Sequence, residues 1–366
     1  MTPAILAADA VVPLFGALLC AGPAVSRPTL QFGVRVPPAR AGAPVIGRER
    51  RAYRWRTAAV AAFATAAVIA VQGRGSWWLP RVVLLLEVAA DAGCFWLAHQ
   101  KITAAKAAEA WFAGLRQTTV ADTTWRTQPQ PFPLRWLIPA VTVIAATAIT
   151  GIARYPSLPA HLTSGLAAPG GHLVPRSPLT AFAVVAGQLY VTAAGTGILV
   201  LIHRSRPDID TADPAGSLHR YRKLLAVYAR AALTLLALVD ATLLLAALQF
   251  WQVCKLPGAA ASLVLLPAAA GILILIAVAM RAGRDRDRPV GTCRRLARQA
   301  GTDRDDDRFW KAGLVYVNRS DPAIMVTTRF SVGWTPNLGN PAAWLLIAAV
   351  TAAPAGLALL RIAAGL

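Results

Sequence analysis

Apolar residues in this chain gather into eight long runs, at about 4–21, 57–71, 79–98, 136–152, 179–202, 224–251, 260–280 and 341–360. A helix needs roughly 17 to 25 largely apolar residues to cross about 30 Å of hydrocarbon, so runs of this length restrict the fold more than any other feature does. Backbone groups in lipid have no water to bond, which leaves the self-satisfied helix as the spanning form. Across 366 residues, 56% are hydrophobic and only 15% charged, a balance that excludes an ordinary soluble core. The expected fold is an all-α polytopic membrane protein of about eight transmembrane helices, with a small β-hairpin-like segment before the last one. The first two runs are the least typical, since one carries Asp9 and Pro13 and the other is short and rich in Ala. No Lys or Arg precedes the first run, so it lacks the positive n-region of a secretory leader.

The net charge of +20 first suggests nucleic acid, but the basic residues follow the runs. With the N-terminus outside, the inner connections would be those between runs one and two, three and four, five and six, and seven and eight. These hold 30 of the 37 Lys and Arg residues. Positive connections resist translocation, so this asymmetry predicts both termini outside a cell membrane. Nucleic acid is not an expected partner. The arginines between 281 and 298 would also favour anionic lipids of the inner leaflet, although Asp285 and Asp287 dilute them. Four scattered cysteines form no CxxC pair, and no cofactor or metal is expected.

Of 17 acids, 13 fall in the four inner connections, and the other four, Asp9, Glu87, Asp91 and Asp240, fall within runs. An ionised side chain near the middle of a span costs about 2.5–3.5 kcal/mol on insertion scales, so each asks for an explanation. Glu87 and Asp91 are four residues apart and share one helix face. Together with Asp240 they make a candidate intramembrane polar site that binds a cation or relays protons. The bland alternative is that each is protonated or hydrogen-bonded to Thr, Gln or Tyr on a neighbouring helix. Arg230 stands ten residues before Asp240, roughly 15 Å along a helix, too far for a direct pair.

The outer connection RYPSLPAHLTSGLAAPGGHLVPRSPLT, residues 154–180, is rich in Pro and Gly and predicts an ordered, turn-bearing loop. Its Tyr155-Pro156, Leu158-Pro159, Pro159-Ala160-His161 and Pro175-Arg176-Ser177 elements resemble the domain of unknown function 1648, found in bacterial membrane proteins similar to Sdp-type peptide-toxin immunity proteins. Leu162-Thr163 stands where that pattern has Phe-Asn. The resemblance implies that Tyr155, Pro156, Pro159 and His161 form a candidate external loop for a secreted peptide ligand. His161 and His172 have no external carboxylate or Cys to complete a metal site.

Residues 309–341, FWKAGLVYVNRSDPAIMVTTRFSVGWTPNLGNP, mix aromatics, turn formers and β-branched residues as a small soluble domain would. GLVYV and AIMVTT are short β-prone runs separated by the turn-forming cluster 318–322, which predicts one hairpin. A lone hairpin is marginal in water, so it should lean on the inner ends of the helices. This segment resembles the domain of unknown function 5808, with Trp310, Gly313, Tyr316, Asn318, Asp321, Pro322, Arg329, Trp334 and Asn337 where that pattern has equivalents. FGVRVP and RERRAYR, within 32–54, are similar to the first inner loop of such proteins. Trp310, Tyr316, Asn318, Asp321, Pro322, Arg329, Trp334 and Asn337 form a candidate cytoplasmic docking patch for a protein partner.

The expected organisation is a membrane region over 1–153, the external loop over 154–178, a three-helix membrane region over 179–280, a cytoplasmic segment over 281–340 and a last helix over 341–366. No P-loop, GxSxG or HExxH motif occurs, and an enzyme is not expected. The resemblance implies a bacterial sensing or immunity protein. A proton- or cation-coupled transporter and a scaffold of an envelope complex are the alternatives.

Overall fold

The apolar runs fold as helices, and several of those helices extend well past the apolar residues. In the computed structural model, which describes residues 29–72, 79–112, 130–164, 172–205, 214–254, 263–286, 307–329 and 333–363, the long elements are α1 (Pro44–Gln72), α2 (Leu79–Ala108), α3 (Ile138–Arg154), α4 (Pro178–His203), α5 (Pro214–Phe250), α6 (Leu266–Arg286) and α7 (Pro341–Ala363). Four of the seven begin on Pro, whose fixed φ and missing N–H suit the first helical position. Five helical stretches are long and apolar enough to cross a membrane: Pro44–Val71, Val82–Ala108, Leu134–Ser157, Pro178–His203 and Gly216–Phe250. The apolar stretches of α6 and α7 are shorter, Leu263–Ala279 and Pro341–Ala352. The 4–21 run, with Asp9, lies outside the described residues, as do most of the arginines between 281 and 298.

Three helices extend well beyond the sequence expectation. α1 starts at Pro44 rather than about 57, α2 continues to Ala108 rather than 98, and α5 starts at Pro214 rather than 224. Arg, Glu, Gln, Lys and Ala are good helix formers, so RERRAYRWR and QKITAAKAA prolong the helices although hydropathy ends there. The extensions have packing of their own. Phe32, Val34, Val36, Ile46, Tyr53, Cys94, Phe95, Ala98, Ile102 and Trp111 form one buried cluster. Ala64 and Val68 meet Val83 and Leu84, while Ile46 and Tyr53 meet the later residues of α2, so the two helices run antiparallel.

α5 is the centre of the remaining helices. It packs against α3, α4 and α6, and α7 lies on α4. Close approach is allowed where the side chain is missing. A Cβ on Gly195 of α4 would stand 2.7 Å from Leu236, and one on Gly271 of α6 2.8 Å from Leu235, the small-residue contact that membrane helices use. Leu85, Leu86, Ile149 and Leu345 point outward, as expected of side chains whose solvent is lipid.

Four small antiparallel hairpins complete the described fold: β1 (Leu30–Gln31) with β2 (Val34–Arg35), β3 (His161–Ser164) with β4 (His172–Pro175), β5 (Trp310–Lys311) with β6 (Val315–Tyr316), and β7 (Met325–Thr327) with β8 (Trp334–Pro336). The expected pairing of GLVYV with AIMVTT is corrected. Each run instead pairs with its other neighbour, β6 back to Trp310–Lys311 and β7 forward to Trp334–Pro336. Ala312 and Gly313 take φ of 54° and 70°, which reverses the chain inside the first run. Tyr316 bridges to Asn337 and joins the two hairpins.

The 307–340 segment touches both helix groups. Met325 packs with Leu199, Ile202, Tyr221 and Leu225 of α4 and α5. On its other side the β5–β6 turn meets the β1–β2 turn backbone to backbone. Gly33 (φ +74°) and Gly313 (φ +70°) are so close that a Cβ on Gly33 would fall 2.5 Å from the Gly313 carbonyl oxygen. Gly33→Val is therefore expected to detach the segment from α1–α2, since a left-handed non-Gly residue costs about 1–2 kcal/mol before any clash. Limited proteolysis of the full-length protein in nanodiscs should show faster cleavage within 307–340. Gly47→Ala, with nothing within 4 Å of the added methyl, should leave it unchanged.

Candidate functional site

Three places hold the residues singled out by the sequence, and they are built differently. The 154–180 connection is a loop returning as the β3–β4 hairpin. Leu158 and Leu162 are buried with Ala181, Ala247 and Trp251, which seats the hairpin on α4 and the C-terminal end of α5. Trp251 Nε1 donates to Ala181 O at 3.1 Å. Arg176 ties the loop's head to its end. Its Nη1 donates to Leu158 O at 2.7 Å and its guanidinium lies 5.6 Å from the Tyr155 ring centroid. Ser177 caps α4 through a reciprocal pair with Thr180. Tyr155 is half-buried against Phe182, whereas Pro156, Pro159 and His161 are exposed.

The second place is the 307–340 segment, where polar side chains hold turns that strand ladders leave open. Asn337 is 0% exposed. Its Nδ2 donates to Asn318 O, Asp321 O and Ala323 O at 2.8, 3.0 and 3.2 Å. Its Oδ1 accepts from Asn318 N and Gly339 N, both at 3.0 Å. Asn318 Nδ2 donates to the Tyr316 hydroxyl at 3.1 Å, and that hydroxyl donates to Asp321 Oδ2 at 3.2 Å. Tyr316 is buried with its ring 5.1 Å from Trp310.

Arg329 carries the join to α1–α2. Its Nη1 donates to Gly33 O at 3.2 Å and also pairs with Asp307, and its guanidinium lies 5.0 Å from the Trp310 centroid. Lys106 of α2 pairs with the same Asp307 carboxylate, and His99 Nδ1 donates to Phe32 O at 2.8 Å. Trp334 packs 5.0 Å from Tyr228 of α5.

The expected docking patch is thus revised. Trp310, Tyr316, Asn318, Arg329 and Asn337 are buried, because hairpins of two or three residues cannot stand alone and use these side chains to fold and to seat themselves. Trp334 and Asp321 are partly exposed, and Pro322 is exposed.

The third place lies within the long apolar helices. Glu87 and Asp91 stand one turn apart on α2, 2% and 3% exposed, in the stripe packed against α1. None of their four carboxylate oxygens has a hydrogen-bond partner among the described residues. Asp240 lies elsewhere, in the contact of α5 with α3 and α4, so the expected three-acid site divides in two. Its Oδ2 accepts from the Thr192 hydroxyl at 2.6 Å, and its backbone O accepts from Gln188 Nε2 at 2.9 Å. Gln188 Nε2 also donates to Thr147 Oγ1 at 3.0 Å. Sequence reasoning named the residue types that would meet Asp240 but not these residues. The available signal was Gln188 and Thr192, four apart inside an apolar run.

A family model described as a family of unknown function (DUF5808) matches residues 319–344. The matched stretch holds Arg329, Trp334 and Asn337, together with the start of α7. It is a likeness of this segment alone, and the resemblance read in the 154–180 loop gains no support from it. No curated protein and no solved structure matches the chain. Within the matched stretch Asn337 is the most heavily bonded side chain described above. Asn337→Ala is expected to release residues 318–323, at about 1–3 kcal/mol for each buried group left unpaired. Hydrogen exchange of the full-length protein should show lost protection at 318 and 339 while the helices keep theirs.

Proposed function

We propose that the chain is a multi-pass bacterial membrane sensor or immunity protein, whose outer loop meets a secreted peptide or envelope ligand and whose inner segment reports to a cytoplasmic partner. The observation that carries this reading is that both non-helical units sit on α5, at opposite ends. The β3–β4 hairpin is seated near Ala247 and Trp251, and the 307–340 segment near Tyr221, Leu225 and Tyr228. The 37 residues of α5 span roughly 55 Å at 1.5 Å per residue, more than the hydrocarbon thickness. A shift of the hairpin end would move the tyrosines under Met325 and Trp334.

In this reading the chain crosses the membrane eight times with both termini outside. Supporting that orientation, the basic extensions bearing Arg48, Arg50, Lys101 and Lys106 gather at the end where the 307–340 segment docks. Outward side chains open to a partner include Lys311, Leu314, Val315, Arg319 and Pro322.

Loss of the gene should sensitise cells to a secreted peptide or an envelope stress. Re-expressed His161→Ala, altered only at an exposed side chain, and Trp334→Ala, altered at the α5 contact, should each fail to restore resistance while reaching the membrane in normal amount. Full resistance in the deletion strain, or in both variants, contradicts the reading.

A second reading, proton- or cation-coupled transport, is favoured by the oxygens of Glu87 and Asp91, which have no partner among the described residues. It requires that Asp91→Asn abolish proton-coupled flux in proteoliposomes. Flux equal to that of the unaltered protein removes it.

A further inference from the structure

Hydrogen-bond bookkeeping around Asp240 leaves a surplus of acceptors. The Thr192 hydroxyl is given to Oδ2 at 2.6 Å. Gln188 Nε2 has two hydrogens, and both are used, one on Asp240 O at 2.9 Å and one on Thr147 Oγ1 at 3.0 Å. Thr147 spends its own hydroxyl on Val143 O at 2.8 Å. Every donor of the cluster is therefore committed. Among the described residues Asp240 Oδ1 and Gln188 Oε1 have no partner, and both residues are 0% exposed. Buried acceptors left in this way are costly, and a carboxylate more so than an amide.

Among the described residues no cation bonds Asp240 Oδ1. From α4, the neutral Thr192 meets the Asp240 side chain and the neutral Gln188 its backbone; Thr147 of α3 bonds Gln188, and α6 carries no titratable residue over 266–280. Arg230, on α5 itself, is ten residues away, roughly 15 Å along the axis.

We propose that this three-helix centre is a binding site for one monovalent cation, a proton or a sodium-sized ion, held by Asp240 Oδ1 and Gln188 Oε1. One carboxylate among neutral oxygens matches a single positive charge. The site depends on neither function proposed above and shares no residue with the Glu87–Asp91 pair. An occupant would draw α4 and α5 together beside Thr147, so its presence would set how firmly the three helices pack.

The test is thermal unfolding of the full-length protein in nanodiscs, followed by tryptophan fluorescence. Sodium chloride at ~100 mM is compared with N-methylglucamine chloride of equal ionic strength, each at about pH 4.5 and about pH 8. For a sodium-sized ion, sodium raises the Tm at the higher pH and N-methylglucamine does not. For a proton, the Tm falls between the lower and higher pH in both salts, because release leaves an uncompensated charge in the buried contact. In either case Asp240→Asn, whose amide donates to Gln188 Oε1 in place of the ion, should lose the response, and Glu87→Gln/Asp91→Asn should keep it. A wild-type Tm indifferent to both sodium and pH overturns the proposal, whether or not Asp240→Asn folds. A response kept in Asp240→Asn overturns it as well.

Discussion

The meeting of two glycine turns, Gly33 against Gly313, is the contact on which the arrangement of the described chain depends. Neither turn can carry a side chain there, since both residues are left-handed and nearly touching. Around that point the polar groups converge. Arg329 reaches Gly33 O and Asp307, and Lys106 takes the other side of Asp307. Exposed ion pairs contribute little. Here Arg329 is 5% exposed and also covers the Trp310 ring, so its loss would leave a buried carbonyl and an aromatic face uncovered. The 307–340 segment thereby ties the α1–α2 pair to α4 and α5, which answers why a chain of apolar helices keeps a piece that reads as soluble.

Lipid supplies the complementary constraint. It gives helices no hydrophobic reason to associate, so packing and polar contacts decide who neighbours whom. Gly195 and Gly271 bring α4 and α6 close to α5, and the Thr147–Gln188–Asp240–Thr192 cluster fixes the level at which α3, α4 and α5 meet. Beyond the apolar stretches ordinary burial returns, in the cluster centred on Tyr53 and Ile102 and in the one beneath Met325. The fold joins two kinds of packing along the same continuous helices.

Helix identity was legible in the sequence because hydropathy is local: each of the seven described helices lies on a predicted run. Helix ends were less so, since the extension 44–56 is charged and its helical state rests on propensity and on burial against distant residues. Turn chemistry inside GLVYV was readable in principle from Ala312-Gly313, yet the β-prone neighbours outweighed it. The burial of Trp310, Tyr316, Asn318, Arg329 and Asn337 was not legible, because aromatic and polar residues suit a surface and a small core equally well. Arg329 meets a carbonyl 296 residues away, a pairing that a single sequence does not encode in any local pattern. For the acids, one-face placement of Glu87 and Asp91 followed from spacing, whereas the separate setting of Asp240 needed the packing of α3, α4 and α5.

Zero-length carbodiimide crosslinking in native membranes tests the central join most directly, because Lys106 and Asp307 belong to elements 201 residues apart. The account predicts a linked 106–307 peptide by mass spectrometry alongside the Lys101–Glu49 link, which lies within the α1–α2 pair at 3.1 Å. Recovery of the 101–49 link with no 106–307 link would contradict it.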